Sequence, residues 1–312
     1  MFEAVVGTVL SKFLGDYVEG LEGRNLEVNI LSGHVVLENL QLKKEAFSRY
    51  QLPITIKDGY LGKLALDIPW KSLGKKPVRV QIENIYLIAK PTQPSDYDPN
   101  LVEESAQKSK KRRLELSEAI QEEEEEEKDS GNSPKQKSYT QRLIDSATSL
   151  FNIEIKNVHF RYEDNVSQKD SQFALGITLE NLHATTIEQS ASNSFIQKFE
   201  AEMNNLALYW NGTETSLKYK NPSEMGDVLG KLIYRSGKSN NINLNYILNP
   251  VCGSMNLQLN KKLDWDLPKI IASLIFPKIN LSLHEEQYKQ ILYFSEYFTF
   301  FSRGIKVCIL FL

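Results

Sequence analysis

The sequence predicts a mostly β protein with a few helices (α+β), built as an extended, strongly twisted antiparallel sheet. Three observations lead there. Long stretches alternate apolar and polar residues with a period of two. A short pattern centred on asparagine recurs along the chain. Candidate amphipathic helices are few, so one apolar face of the sheet has little to cover it.

The first element reads as a helix. Phe2, Val5, Val6, Val9, Leu10, Phe13, Leu14 and Tyr17 recur at spacings of three and four, and Gly15 and Gly20 mark its end. Its stripe holds no Trp and its polar face is not strongly basic, so core packing and membrane contact are both open readings. The period then switches to two. Leu26, Val28 and Ile30 are followed by a turn at Ser32-Gly33 and by Val35 and Leu37. Ile54 and Ile56 come next, then Leu64, Leu66 and Ile68, then Val78, Val80 and Ile82, with Gly59, Gly62, Pro69 and Pro77 as punctuation.

Between about Pro94 and Tyr139 the composition changes. A basic run, Lys108 to Arg113, precedes an unbroken acidic run, Glu122 to Glu127. With almost nothing apolar to bury, this insertion reads as a solvated helix or a disordered segment. Tyr139 to Phe151 suggests a second amphipathic helix, and Met225, Val228, Leu229, Leu232 and Ile233 a third. Strands are expected at Ile153 to Arg161, Phe173 to Ala184, Phe199 to Tyr209, Ile242 to Leu248 and Ser254 to Leu259, with a last one through Ile279, Leu281 and Leu283. The chain thus divides into a helix-plus-meander unit at 1–93, a charged insertion at 94–138, a second β unit at 139–290 and an apolar tail at 291–312. Glu296, Arg303 and Lys306 interrupt the tail, which therefore does not read as a membrane span. A cut-off end, or the end of a short variant of a longer protein, fits it better.

The repeat carries structural information. Its copies are Val35 to Leu42 around Asn39, Val80 to Leu87 around Asn84, Ile153 to Phe160 around Asn157 and Ile177 to Ala184 around Asn181, with a looser copy around Asn205. Apolar residues stand two and four places before each Asn, then one and three places after it. A regular strand would turn its apolar set to the other face there. A β-bulge at the charged residue and Asn would restore the face and raise the local twist. The result is one continuous apolar face that either folds over as a closed sandwich or stays open for an apolar ligand.

Composition narrows the function. The net charge is −3 at neutral pH, which argues against a nucleic-acid partner. The two cysteines, Cys252 and Cys308, form neither a disulfide framework nor a metal cluster. Asn211-Gly212-Thr213 matches a glycosylation sequon, but no export signal is visible and it reads as chance. Gly59-Tyr60-Leu61-Gly62-Lys63-Leu64 lacks the spacing and hydroxyl residue of a phosphate loop. His284-Glu285-Glu286 lacks the second His of a zinc helix, and Asp264-Trp265-Asp266 reads as a turn. His159 and His183 fall on the polar side of the alternation and read as surface residues. No catalytic residue, metal or cofactor is expected, and no enzyme activity.

The segments Phe13 to Val18, Leu26 to Leu42, Leu52-Pro53-Ile54, Gly59 to Leu64 and Ile68-Pro69-Trp70-Lys71 together resemble the chorein N-terminal domain. Ile82 to Leu87 and Val158 to Asp164 extend the likeness. Over roughly the first 290 residues the chain resembles the vacuolar protein sorting 13 family; autophagy-related protein 2 shares the domain but is a weaker match. The resemblance implies a groove of repeating β units along which glycerophospholipids move between organelle membranes. It implies a cytoplasmic protein peripheral to membrane at endoplasmic reticulum contact sites, its N-terminal end on the endoplasmic reticulum side. Membrane scramblases or adaptor proteins would be its partners. Carried onto this chain, the lining would be Leu26, Val28, Ile30, Val35, Leu37, Leu40, Leu42, Ile54, Ile56, Leu64, Leu66 and Ile68 in the first unit, with Val80, Ile82, Ile85 and Leu87. In the second unit it would be Ile153, Ile155, Val158, Phe160, Leu175, Ile177 and Leu179. Phe2, Val5, Val6, Val9, Leu10 and Phe13 would form the membrane-end helix. On this reading Leu66→Glu raises the barrier to lipid movement locally without unfolding the outer face.

Overall fold

The computed structural model describes residues 17–19, 33–44, 54–69, 72, 75–92, 107, 150–167, 172–187, 196–213, 216–236, 244–260 and 268–310. They form one eight-stranded sheet whose spatial order is its sequence order. The strands are β1 (His34–Gln41), β2 (Ile54–Asp67), β3 (Val78–Pro91), β4 (Phe151–Asp164), β5 (Phe173–Ile187), β6 (Ile196–Asn211), β7 (Tyr246–Asn260) and β8 (Ile270–Ile275). Helix α1 (Pro222–Lys231) connects β6 to β7, and α2 (Glu285–Leu310) follows β8. The mostly β expectation is met. No second sheet occurs among the described residues, so the apolar face is not closed as a sandwich there.

Several elements differ from the sequence reading. The sheet is antiparallel except between β3 and β4, which are parallel. Parallel neighbours need a long crossover, and residues 92–150, which contain the charged insertion, supply it. Phe151 belongs to β4 rather than to a helix. Gly59 and Gly62 do not end strands but lie inside the continuous β2. A Cβ at Gly59 would stand 2.6 Å from Leu42 Cβ, and one at Gly62 would stand 2.8 Å from Asn84 Cβ, so close packing requires both glycines. The two strands expected at 242–259 are a single β7, with pairing irregularities against β6 in place of a turn. The last strand is Ile270–Ile275, and Leu281 makes only an isolated bridge to Leu248. The first helix and the strand at Leu26 to Ile30 lie outside the described residues.

The recurring asparagines explain how the face is kept. Asn39, Asn84, Asn157 and Asn205 have φ between 53° and 64°, the left-handed region. Asn is one of the few residues that visits that region cheaply. At Asn39 no residue is inserted, contrary to the bulge expected: Glu38↔Lys63 and Leu40↔Leu61 keep one register across it, whereas the β6–β7 pairing shifts register between Met203 and Leu206, around Asn205. The single left-handed residue reverses the alternation once. Val35 and Leu37 before Asn39, and Leu40 after it, are therefore all buried in one cluster. Asn181, expected to behave alike, is not left-handed. Its neighbour Glu180 holds the position between Asn157 and Asn205 in the register.

The asparagine side chains bond on the opposite, outer face. Asn39 Oδ1 accepts from the Tyr60 hydroxyl at 2.7 Å. Asn84 Oδ1 accepts from the Tyr86 hydroxyl at 3.1 Å and from Asn157 Nδ2 at 3.0 Å. Asn84→Val should destabilise by about 3 kcal/mol, from left-handed strain plus two lost bonds. Asn84→Gly, which removes the bonds but permits the backbone, should cost about half as much. Urea unfolding of the two variants checks this order.

Candidate functional site

The inner face is built by register. Val35 pairs with Leu66, Leu66 with Val80, Val80 with Ile153, and Ile153 with Ala184. The row continues through Ala201 and Met255 to Leu274. Directly paired residues share a face, so one apolar residue per strand runs in line from β1 to β8. The neighbouring row on the outer face is His34, Asp67, Arg79, Asn152, Thr185, Glu200, Asn256 and Ser273, all polar. Further apolar rows flank the asparagine line: Leu37–Leu64–Ile82–Ile155–Leu182–Met203 on one side and Leu40–Leu61–Ile85–Val158–Leu179 on the other.

Burial along this face is uneven. Val35, Leu37, Leu40, Leu64, Leu66 and Ile68 are buried in one cluster with Val18, Leu61 and Val78, and Leu42, Val80, Ile82 and Ile85 pack on its margin. Ile56 and Leu87 belong to a second cluster, with Ile54 and Leu175 at its edge. Farther along, Ile153, Ile155 and Leu179 are half-buried and Val158 is buried. Phe160 and Ile177, which pair across β4 and β5, are 39% and 43% exposed at the middle of the sheet. Leu26, Val28, Ile30, Phe2, Val5, Val6, Val9, Leu10 and Phe13 lie outside the described residues. Leu66, only 7% exposed, is a core residue. Leu66→Glu would therefore unfold that cluster, not merely block a groove.

One rim of the face is walled by α2, an element the sequence reading left as an apolar tail. Gln287 Nε2 donates to Trp210 O at 2.9 Å, beside the β6–β7 connection. Trp210 Nε1 donates to Gln290 Oε1 at 2.7 Å, and Gln290 Nε2 to Gly212 O at 2.9 Å. Ten residues after Gln287, the Tyr297 hydroxyl donates to Thr92 O at 3.2 Å, just past β3. Ten residues span about 15 Å of helix axis, close to the roughly 14–19 Å from β3 to β6 or β7. The helix thus runs back across the strand ends. Its Ile291 and Phe294 enter the second cluster, where the Phe294 ring meets Tyr162, Phe173 and Trp210 at 5.3–5.9 Å between centroids. Burial there and the Asp164 carboxylate, which accepts from the Tyr162 hydroxyl at 2.7 Å, push the Tyr162 phenol well above its ordinary range.

The outer face carries the titratable groups. His159, read from sequence as a surface residue, is fully buried beneath α1. Its Nδ1 donates to Leu229 O at 2.9 Å, and its Nε2 accepts from the Tyr209 hydroxyl at 2.8 Å. Arg161 Nη1 donates to that hydroxyl at 3.3 Å, and Arg161 Nε to Glu163 at 3.0 Å. His183 is half-buried, with Nε2 3.1 Å from Asn152 Oδ1. Asn211 of the sequon is buried, and its Oδ1 accepts from Asn245 N at 3.0 Å, so it is no glycosylation site in this fold. Among the described residues no group of His, Cys, Asp and Glu could hold a metal, and no helix is long and apolar enough to cross a membrane. Sequence reasoning missed Leu182, Met203, Leu208, Trp210 and Met255 on the inner face. The looser repeat around Asn205 was the available signal for the β6 residues.

A single open sheet, with continuous apolar rows along one face and α1 seated on the other, defines a β-groove protein. The chain belongs to the VPS13-like family: the model of that family's N-terminal region matches residues 1–307. Intermembrane lipid transfer protein VPS13 of Chaetomium thermophilum is 30% identical over 321 residues, covering 97% of this chain and 10% of the relative. Intermembrane lipid transfer protein vps13A of Dictyostelium discoideum is 34% identical, covering 98% of this chain and 10% of the relative. VPS13A of Mus musculus, named likewise, is 30% identical, covering 92% and 9%. The chain therefore spans about a tenth of the length of these curated relatives. The match also runs past the 290 or so residues over which the likeness is legible by eye.

Proposed function

We propose that this chain binds glycerophospholipids by their acyl chains and that its inner face is a stretch of the track along which they pass between organelle membranes. The observation that carries this is the unbroken apolar row from Val35 to Leu274, with Phe160 and Ile177 partly exposed beside it. Large apolar surface open to water usually marks a binding site. Hydrating acyl chains costs about 0.8 kcal/mol per CH₂, on the order of 25 kcal/mol for two chains of roughly 16 carbons. An apolar track removes most of that barrier without side-chain chemistry, so the protein works as a conduit and not as an enzyme. The names of its relatives support lipid as the cargo.

The same reading places the chain at endoplasmic reticulum contact sites, peripheral to the membrane and on its cytoplasmic side, with scramblases or adaptor proteins as partners. Eight strands at about 4.8 Å make a trough of roughly 34 Å, similar to one hydrocarbon core of about 30 Å. At that length the chain holds or extracts lipid, and continuous passage between two membranes requires a longer groove. Native mass spectrometry with lipid extraction tests this. Co-purifying glycerophospholipids are expected. A stable, lipid-free chain, which also takes up none from vesicles, would sink the reading.

A further inference from the structure

Residues 217–236 form a strap that leaves β6, crosses the outer face and returns to β7. It is tied at several points. Leu217 N donates to Glu163 at 2.8 Å, and the Tyr219 hydroxyl bonds to Asp58 on β2. Met225, Leu229 and Ile233 pack on Tyr86 and Ile88 of β3. At its end Arg235 Nη2 donates to Asn157 Oδ1 at 3.2 Å, and Ser236 Oγ accepts from Asn205 Nδ2 at 2.9 Å. These last two bonds grip the asparagine line itself.

We propose that Arg235 and Ser236 are positioning residues that set the width of the lipid trough from outside; this rests on the lipid-track reading above. The left-handed asparagines lie in register across the sheet: Asn84 aligns with Asn157, and Glu180 bridges the position between Asn157 and Asn205. Small backbone changes at aligned residues add, so the two halves of the sheet turn about one line. That line is the floor of the trough, because the apolar rows through Leu37 and Leu40 flank it. Its side chains all bond on the outer face. Asn205 also donates to Glu180 Oε2 at 2.6 Å, which couples the strap to β5.

The test compares the full chain with an Arg235→Ala, Ser236→Ala variant. Spin labels at Lys198→Cys and Thr213→Cys, near either end of β6, report the bend across Asn205 with Cys252→Ser and Cys308→Ser in place. Lipid phosphorus per chain is read in parallel. The His159 and Tyr219 contacts stay, so the helix should remain seated and circular dichroism unchanged. A broader label distance is expected, with bound lipid lower by roughly threefold to tenfold, on the order of what one net side-chain hydrogen bond shifts. An unchanged distance overturns the proposal, whether or not lipid falls, because any loss would not come through shape. A broadened distance with unchanged lipid overturns it as well. A broadened distance in a chain that never carries lipid overturns the cargo reading and leaves Arg235 and Ser236 as shape-setting residues. Should the double variant fail to fold, Asn157→Gly with Ser236→Ala is measured against Asn84→Gly, which breaks the bond between Asn84 and Asn157 but keeps the strap's grip, and glycine keeps the left-handed backbone in both.

Discussion

A chain carrying both Phe160→Glu and Ile177→Glu is expected to fold and to purify with little bound lipid. These residues pair at the centre of the inner face, in the row Leu87–Phe160–Ile177–Leu208. Both are already about two-fifths exposed, so replacing them forfeits only part of a full burial, about 1 kcal/mol each. Like charges placed opposite each other add a few tenths to about 1 kcal/mol. The effect on cargo is larger. An acyl chain lying on the track would have to strip water from two carboxylates, at several kcal/mol in total. Each 1.4 kcal/mol is about tenfold in affinity, so a loss of two orders of magnitude is expected. Lipid phosphorus per chain measures it directly. Thr185→Glu, on the outer row, serves as the control and should leave lipid unchanged. If the double variant kept its full lipid load, the track would have to lie elsewhere than this face.

How much of this was legible follows from which interactions are local. The asparagine parity was readable, because a left-handed residue acts on the alternation of its own strand. That it would do so with no register shift at Asn39, yet with one against β7 at Asn205, was not, since register is a property of two strands. Gly59 and Gly62 look like turn residues in sequence, yet they sit within β2 because Leu42 and Asn84 from neighbouring strands occupy the space a side chain would need. The parallel β3–β4 pair was hidden because a charged insertion carries no periodicity that announces where the chain returns. Helix α1 was visible as an apolar stripe, but its docking on the outer face was not, and His159 was misplaced for that reason. Helix α2 was hidden by its composition. Gln287 and Gln290, which anchor it, are ordinary surface residues until Trp210 and the end of β6 are brought beside them.

The folded protein is expected to lose stability in acid through His159. Burial, more than any other influence, holds its pKa down at about 4, against 6.5 for a free histidine. The Arg161 guanidinium lowers it further, while the bond to Leu229 O acts the other way. The sign follows from which state takes the proton first. Above pH 6.5 neither state binds it, and His159 costs nothing. As pH falls from 6.5 toward 4 the unfolded chain binds the proton and the folded one does not, so the unfolded state is favoured. At about pH 4.5 this amounts to roughly 2–3 kcal/mol, at 1.36 kcal/mol per unit. A proton on Nε2 would also turn an acceptor into a donor facing the Tyr209 hydroxyl, which already accepts from Arg161. Other groups titrate in the same window, so the comparison is with His159→Gln, measured by urea unfolding from about pH 7 to about pH 4.5. At neutral pH the variant should be less stable by about 1–3 kcal/mol, for disturbed buried bonds. That gap should close, or reverse, as the pH drops, because only the native chain carries the histidine penalty. A gap that stayed constant with pH would mean that His159 is not held neutral under α1. A closing gap would show that burial under α1 keeps His159 neutral in the folded protein.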